Sequence, residues 1–290
     1  MARSAGRQDP RLVVLGSGTG VPVGGRRPAG HLVLYAGRGL LLDLGPGVWH
    51  AASRYVRFQR IDYVLLSHPH LDHCLDTLTL LFTMSLVPRR RPGPTVIASR
   101  ETLRQVEQWV RATPGLSMDL VPLRPLEAGE RVPLWDGVGL TTGAVAHVPG
   151  SLAYRLDFPD GASLTYSGDT TWCLTLVQLA YRTTVLLLEC AHREPSRPHL
   201  WPESAATLAR WAEAEQTILT HFYPDALTPA FRQQCRRLFS TPFALARDGA
   251  AYPIRRRRPA VEPASSVPTY LSDSSPRYDA GPGGRKDQGP

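Results

Sequence analysis

The chain is almost without lysine: Lys286 is the only one among 33 basic residues, so the net charge of +8 rests on arginine. An arginine-rich genome gives the same balance, so charge by itself favours no nucleic-acid partner, although it suits phosphate-bearing substrates. Cysteine is scarce too. Cys74, Cys173, Cys190 and Cys235 stand far apart with no C-x-x-C pair, which excludes a disulfide framework and predicts buried free thiols in a reducing compartment. No stretch approaches the ~18 consecutive apolar residues of a membrane span. The apolar run Leu12–Leu15, behind the polar segment Met1–Pro10, is too short for a signal-peptide core. A soluble, cytoplasmic protein without a membrane partner is the expectation. The glycine-rich stretch Gly16-Ser-Gly-Thr-Gly20 lacks G-x-G-x-x-G spacing, and Pro22 stands where a phosphate-binding helix would begin, so a nucleotide cofactor is discounted. No internal repeat is visible.

What the chain does have is enough apolar residue, 42% of 290, for a sizeable core. Period-two and continuous apolar runs predict strands at Arg11–Leu15, His31–Tyr35, Leu40–Leu44, Ile61–Leu66, Thr95–Ala98, Gly139–Ala146, Leu152–Phe158, Ser163–Tyr166, Thr184–Glu189, Thr217–Thr220 and Phe243–Ala246. Helical spacing covers Val48–Phe58, Cys74–Leu86 (stopped by Pro88), Glu101–Arg111, Leu174–Tyr181, Ser204–Glu213 and Pro229–Phe239. This mixed order favours sheets covered by helices on their outer faces over a regular parallel series. Residues 1–10 read as a flexible N-terminus and 11–254 as the folded domain. Residues 255–290, rich in arginine, proline and small polar residues, bury too little apolar surface to order and read as a disordered tail. Its arginine run could meet RNA or another acidic partner, but a solvated tail is preferred.

Chemistry concentrates in six residues, His68-Pro-His70-Leu-Asp72-His73, directly after the apolar run Tyr63–Ser67. Imidazole nitrogen and carboxylate oxygen suit zinc and similar divalent ions. In an extended segment i and i+2 point the same way, so His68 and His70 can face one ion, while Asp72 and His73 open the next helix and can face a second. Three polar residues close apolar runs elsewhere, where ligands sit on a packed scaffold: His147, Asp169 and His221. Cys74 adjoins the motif, but the donor set closes without it.

The series His68-x-His70-x-Asp72-His73, His147, Asp169, His221 resembles the metallo-β-lactamase superfamily, and within it the ribonuclease Z-like branch of phosphodiesterases. Leu15-Gly-Ser-Gly-Thr-Gly-Val-Pro22 is similar to that branch's opening turn. Asp43-Leu-Gly-Pro-Gly47 is similar to its D-x-G-x-G turn, and His199-Leu-Trp-Pro-Glu-Ser-Ala-Ala206 to its late histidine segment. The resemblance implies an α+β fold, a four-layer αββα sandwich, over residues 11–254. It implies two divalent metal ions, with zinc preferred and manganese or iron open. His68, His70 and His147 would hold the first ion, Asp72, His73 and His221 the second, and Asp169 would bridge them. A hydroxide held between the ions would attack a phosphodiester. Asp72 would orient it or take its proton, and His199 would assist the leaving oxygen. Asp43 would support a ligand histidine from behind or stabilise its turn. His31, His50 and His192 read as structural or surface residues. Homodimerisation is common among such relatives.

The interval from His147 to Asp169 is filled by a strand, a turn and a strand, which leaves no room for the long RNA-gripping arm of transfer-RNA-processing ribonuclease Z. Nucleic-acid ends, cyclic nucleotides and small diesters remain open. The rival readings are a carbonyl-directed hydrolase (lactonase, thioesterase or β-lactamase-like), an iron redox enzyme in the same cage, and a non-catalytic nucleic-acid-binding relative.

Overall fold

Two sheets of seven strands form the centre of the chain, in a computed structural model that describes residues 9–87, 92–135 and 137–256. The first sheet has the order β14-β1-β2-β3-β4-β5-β6. Its strands are β1 Arg11–Gly16, β2 Gly30–Tyr35, β3 Arg38–Leu42, β4 Ile61–Leu65, β5 Thr95–Ala98, β6 Leu123–Pro125 and β14 Ala251–Pro253. The second has the order β13-β12-β11-β10-β9-β8-β7. It contains β7 Arg131–Pro133, β8 Gly139–Ala144, β9 Leu152–Asp157, β10 Ser163–Tyr166, β11 Val185–Glu189, β12 Thr217–Thr220 and β13 Phe243–Leu245. Central strands are mostly apolar because both faces are covered: β11, Val185 to Glu189, is buried at every position. The β2–β3 hairpin turns on Ala36 and Gly37, both at positive φ (51° and 73°), as a two-residue turn of matching twist requires.

Helices cover the outer faces. α1 Val48–Ala52, α2 Leu71–Cys74, α3 Asp76–Leu86 and α4 Arg100–Arg111 accompany the first sheet. The apolar sides of α1, α3 and α4 join Val13, Leu32, Leu41, Val64 and Val96 in one core cluster. Thr102, Leu103, Val106 and Val110 form the buried stripe of α4, and the Ser99 hydroxyl caps it by accepting from the Thr102 N–H. α5 Leu174–Leu179, α6 Pro202–Trp211 and α7 Pro229–Leu238 belong to the second sheet. The inner faces meet through long polar-tipped rings: the Tyr154 hydroxyl donates to the Leu66 carbonyl at 2.7 Å and Tyr63 to the Leu134 carbonyl at 2.9 Å. The architecture is the αββα sandwich.

Several predicted boundaries shift. The helix over Val48–Phe58 ends at Ala52, and a short 3-10 turn, Phe58–Arg60, follows. The helix predicted to start at Cys74 is two helices, α2 and α3, so the motif's Asp72 and His73 lie inside a helix of their own. The three-residue strands β6, β7 and β14 have no counterpart among the predictions, being too short to show a period. Pro88, read as a helix stop, lies outside the described residues. So does the tail beyond Arg256. Of the four-arginine run, Arg255 pairs with Asp9 and Arg256 with Glu215 at 3.7 Å. Among the described residues no helix is long and apolar enough to cross a membrane.

Candidate metal centre

Strand direction gathers the site. β10, β11 and β12 are parallel, and β8 runs the same way because β9 is antiparallel to both β8 and β10. The carboxyl ends of all four therefore open on one edge. His147 follows β8, Asp169 follows β10, Glu189 ends β11 and His221 follows β12. From the first sheet, β4 leads to His68 and His70, and α2 supplies Asp72 and His73. Close approach depends on two glycines, Gly168 where the second sheet meets the first and Gly45 where the turn after β3 meets α2. A Cβ on Gly168 would stand 2.7 Å from the Ser67 Cβ, and one on Gly45 would stand 2.1 Å from the Asp72 carbonyl oxygen.

Three nitrogens converge first: His68 Nε2 lies 3.0 Å from His70 Nδ1, which lies 3.1 Å from His147 Nε2. His73 Nε2 and His221 Nε2 meet at 3.1 Å, with Asp72 Oδ2 at 3.9 Å and 3.5 Å from them. Asp169 stands between the groups. Its Oδ2 is 3.7 Å from His68, 3.8 Å from His147 and 3.4 Å from His221, while its Oδ1 is 3.3 Å from His73. The seven residues predicted as ligands thus come together. They form two donor sets, His68–His70–His147–Asp169 and Asp72–His73–His221, and a third, Asp169–His199–His221, overlaps both; the atoms of each set lie within 4.8 Å of one another. Cys74 does not join them; its thiol donates to the His70 carbonyl at 3.0 Å.

The donors fit divalent cations on their own chemistry. His73 Nδ1 donates to Asp43 Oδ2 at 2.7 Å, His147 Nδ1 to the Pro198 carbonyl at 3.2 Å, and His68 Nδ1 pairs with the Ser67 hydroxyl at 3.0 Å. Those bonds fix the tautomers and turn the Nε2 lone pairs inward. A cation among these nitrogens would accept the lone pairs that face the centre. Asp169 Oδ1 is buried without a hydrogen-bond partner, a cost that cation binding removes. Protonation states agree. Burial pushes His68 and His70 down and His147 down to about 4. Burial would raise Asp169 and Asp72, but the neighbouring histidines, His221 and His73, hold both carboxyls below the usual range. His73 is the exception: against burial, Asp169 and Asp43 raise it, so metal binding there displaces a proton.

Asp43 lies behind His73, on the side away from the donor cluster. It is fully buried and accepts from the Ser67 N–H (2.6 Å), the Ser67 hydroxyl (2.7 Å), His73 Nδ1 and the Tyr166 hydroxyl (2.6 Å). Only five described non-glycine residues have positive φ; Asp43 (58°) and His221 (61°) are two of them, so unusual backbone collects at this centre.

His199 lies beside the donors, and the structure adds a partner that the sequence did not suggest. His199 Nδ1 donates to Glu189 Oε1 at 3.0 Å. Glu189 is 1% exposed and also accepts from the N–H groups of Thr170 (2.7 Å) and Leu200 (3.2 Å). Burial pushes the Glu189 carboxyl up, and Glu189 in turn raises His199 against the effect of burial. The pair holds a proton beside Asp169, whose Oδ2 is 3.9 Å from His199. The same signal that singles out His147, Asp169 and His221, a polar residue closing an apolar run, was present at Glu189. His31 is buried, as a structural residue would be, with neither ring nitrogen bonded.

A fold of two facing mixed sheets flanked by helices, with this His/Asp cluster at one edge, defines the metallo-β-lactamase class. Residues 38–222 match the family described as Beta-lactamase superfamily domain, and the chain belongs to that superfamily. An uncharacterized protein of Mycobacterium leprae is 34% identical over 229 residues, covering 74% of this chain and 78% of its own length. Ribonuclease Z of Mycobacterium bovis is 28% identical over 261 residues, covering 80% of this chain and 92% of its own. Among solved structures, the metallo-β-lactamase fold protein YhfI of Bacillus subtilis superposes with a TM-score of 0.74 at 20% identity, covering 84% of this chain and 99% of its own. The short form of human tRNase Z gives 0.67 at 18% identity, covering 85% and 100%.

Proposed function

We propose that this chain is a phosphodiesterase that uses two divalent ions, one held by His68, His70 and His147, the other by Asp72, His73 and His221, with Asp169 shared. When bound, such ions supply a nucleophile from water at neutral pH and offset the charge of the diester. The carboxylate of Asp72 is steadied by the Gly20 N–H, which donates to its Oδ2 at 2.8 Å, and it orients the attacking water and receives its proton. The water oxygen bonds to phosphorus as the bond to the leaving oxygen breaks. His199 then delivers its proton to that oxygen, and Glu189 keeps the imidazole charged until it does; general acid help of this kind is worth ~10²–10⁴ in rate.

The observation that carries the proposal is the buried Glu189–His199 pair beside the donor cluster: a poor alkoxide leaving group needs such a proton donor. The ribonuclease Z relative supports a nucleic-acid or nucleotide diester as substrate, and a cytoplasmic site of action goes with it. The test is turnover of bis(p-nitrophenyl) phosphate by purified protein supplied with zinc or manganese, against thioester and lactone panels, with elemental analysis alongside. Diester turnover that disappears in His70→Ala is expected. Turnover of a thioester or lactone alone would overturn the proposal.

A further inference from the structure

The mechanism above leaves one polar group at the rim of the centre unused. Tyr223 lies two residues beyond His221 and opens the short 3-10 turn Pro224–Leu227. Its ring is clamped. His192 stacks on it with centroids 4.4 Å apart and planes 19° apart. The His221 imidazole stands at 82° to it, 6.1 Å away, and the His199 ring is 5.8 Å away. The clamp is braced in turn: Asp225 accepts from His192 Nδ1 at 3.2 Å and from the Arg193 N–H at 2.9 Å. The Tyr223 N–H donates to the Ala191 carbonyl at 3.0 Å. Packing and backbone bonds therefore hold the side chain without any help from its own hydroxyl.

Three other tyrosines of the interior use their hydroxyls: Tyr63 on Leu134, Tyr154 on Leu66 and Tyr166 on Asp43. Among the described residues the Tyr223 hydroxyl meets no partner of this kind. The ring is half-buried beside the His199 and His221 rings of the centre. A fixed, unbonded O–H beside a centre that collects anions is a preorganised donor, and donors fixed before reaction act most strongly where charge develops. An aromatic pair with one polar tip also keeps that donor in place without hydrogen-bonding it away from substrate.

We infer that Tyr223 is a catalytic residue whose hydroxyl donates a hydrogen bond to a non-bridging oxygen of the phosphoryl group under attack, with His192 and Asp225 as its positioning residues. The inference rests on the diester reaction proposed above and adds a contact to it. No proton is transferred at Tyr223; the leaving oxygen still takes its proton from His199.

Tyr223→Phe keeps the ring, its stack on His192 and the backbone bond, so it isolates the hydroxyl. Metal content, melting temperature and KM (within about twofold) should match wild type, while kcat falls by about 10²-fold, the loss seen when one such donor is removed. The loss should be equal for aryl diesters with good and poor leaving groups, unlike the loss in His199→Ala. Full turnover in Tyr223→Phe would overturn the assignment. So would a loss that grows with leaving-group basicity, because the hydroxyl would then be serving the leaving oxygen. A drop in metal content or melting temperature would reduce Tyr223 to a packing role. If wild type turns over no diester at all, the reaction itself is wrong and this contact falls with it. Diester turnover in wild type with an unaltered variant removes only the contact.

Discussion

Replacing Asp43 with asparagine tests how far the cage depends on the residue behind it. Asparagine tolerates the left-handed backbone that Asp43 adopts at φ 58°, so the exchange isolates the carboxylate. Asp43 Oδ1 accepts from the Ser67 N–H, while Oδ2 accepts from the Ser67 hydroxyl, His73 Nδ1 and the Tyr166 hydroxyl, all within 2.6–2.7 Å. An amide has one acceptor oxygen. If that oxygen takes the Oδ2 position, the amide NH2 faces the Ser67 N–H donor; in the other flip it faces three donors. The better arrangement still loses one charge-assisted bond, about 1.5–3 kcal/mol, and leaves a buried donor unpaired. A total of about 2–4 kcal/mol follows, or a fall in Tm of roughly 5–15 °C for a domain of this size. Metal affinity should fall about 10–100-fold, because His73 Nδ1 then donates to a neutral amide oxygen in place of a carboxylate, which leaves the imidazole a weaker donor. Calorimetry in chelator measures the first quantity and zinc titration with a competing indicator the second. A variant with wild-type Tm and wild-type zinc affinity would refute the supporting role assigned to Asp43.

Asp169→Ala should remove most bound metal and nearly all hydrolysis, since one oxygen reaches toward both donor sets; elemental analysis with turnover decides it, and full retention of both would sink the shared-ligand assignment. His199→Ala should keep its metal yet lose turnover most for diesters with poor leaving groups, and Glu189→Gln should follow the same trend less steeply. Equal loss across leaving groups would speak against the acid role. For His31, burial lowers the pKa from 6.5 to about 3, with His73 and His221 adding to the shift. The unfolded chain therefore binds a proton that the folded chain refuses. Stability contributed by the neutral imidazole is complete above pH 6.5 and is lost as pH falls from there toward 3, about 2 kcal/mol by pH 5 in the metal-free protein. Denaturation of His31→Leu at pH 7 and pH 5 should show a pH loss smaller by that amount, and an identical loss would contradict it.

Much of the site was legible because ligands must be chemically distinct from the apolar strands that carry them. His68 to His73 follow β4 in an unbroken run, and His147, Asp169 and His221 each interrupt an apolar stretch at its end. Glu189 obeys the same rule, closing the predicted strand Thr184–Glu189, but a lone glutamate carries no metal spacing to draw notice. Tyr223 has no sequence signal at all; its place depends on a stack with His192, thirty-one positions away. The fold was legible where runs were long. Helix α1 stops short of its predicted end: Ser53, Arg54 and Tyr55 are exposed, and Val56 and Phe58 reach the core from the irregular segment that follows, while β6, β7 and β14 are three-residue strands held by neighbours rather than by their own composition.

The meeting of two sheets at a single edge has a consequence for assembly. Under the proposed ligand set neither half of the chain owns a complete coordination sphere: residues before β7 contribute His68, His70, Asp72 and His73, and the second sheet carries His147, Asp169 and His221. Cation uptake under that ligand set would report on the finished tertiary structure, and an ion that prefers the native state would hold the two sheets together more firmly as its concentration rises. A fragment ending before Asp169 would keep the six-residue motif intact and still release its metal.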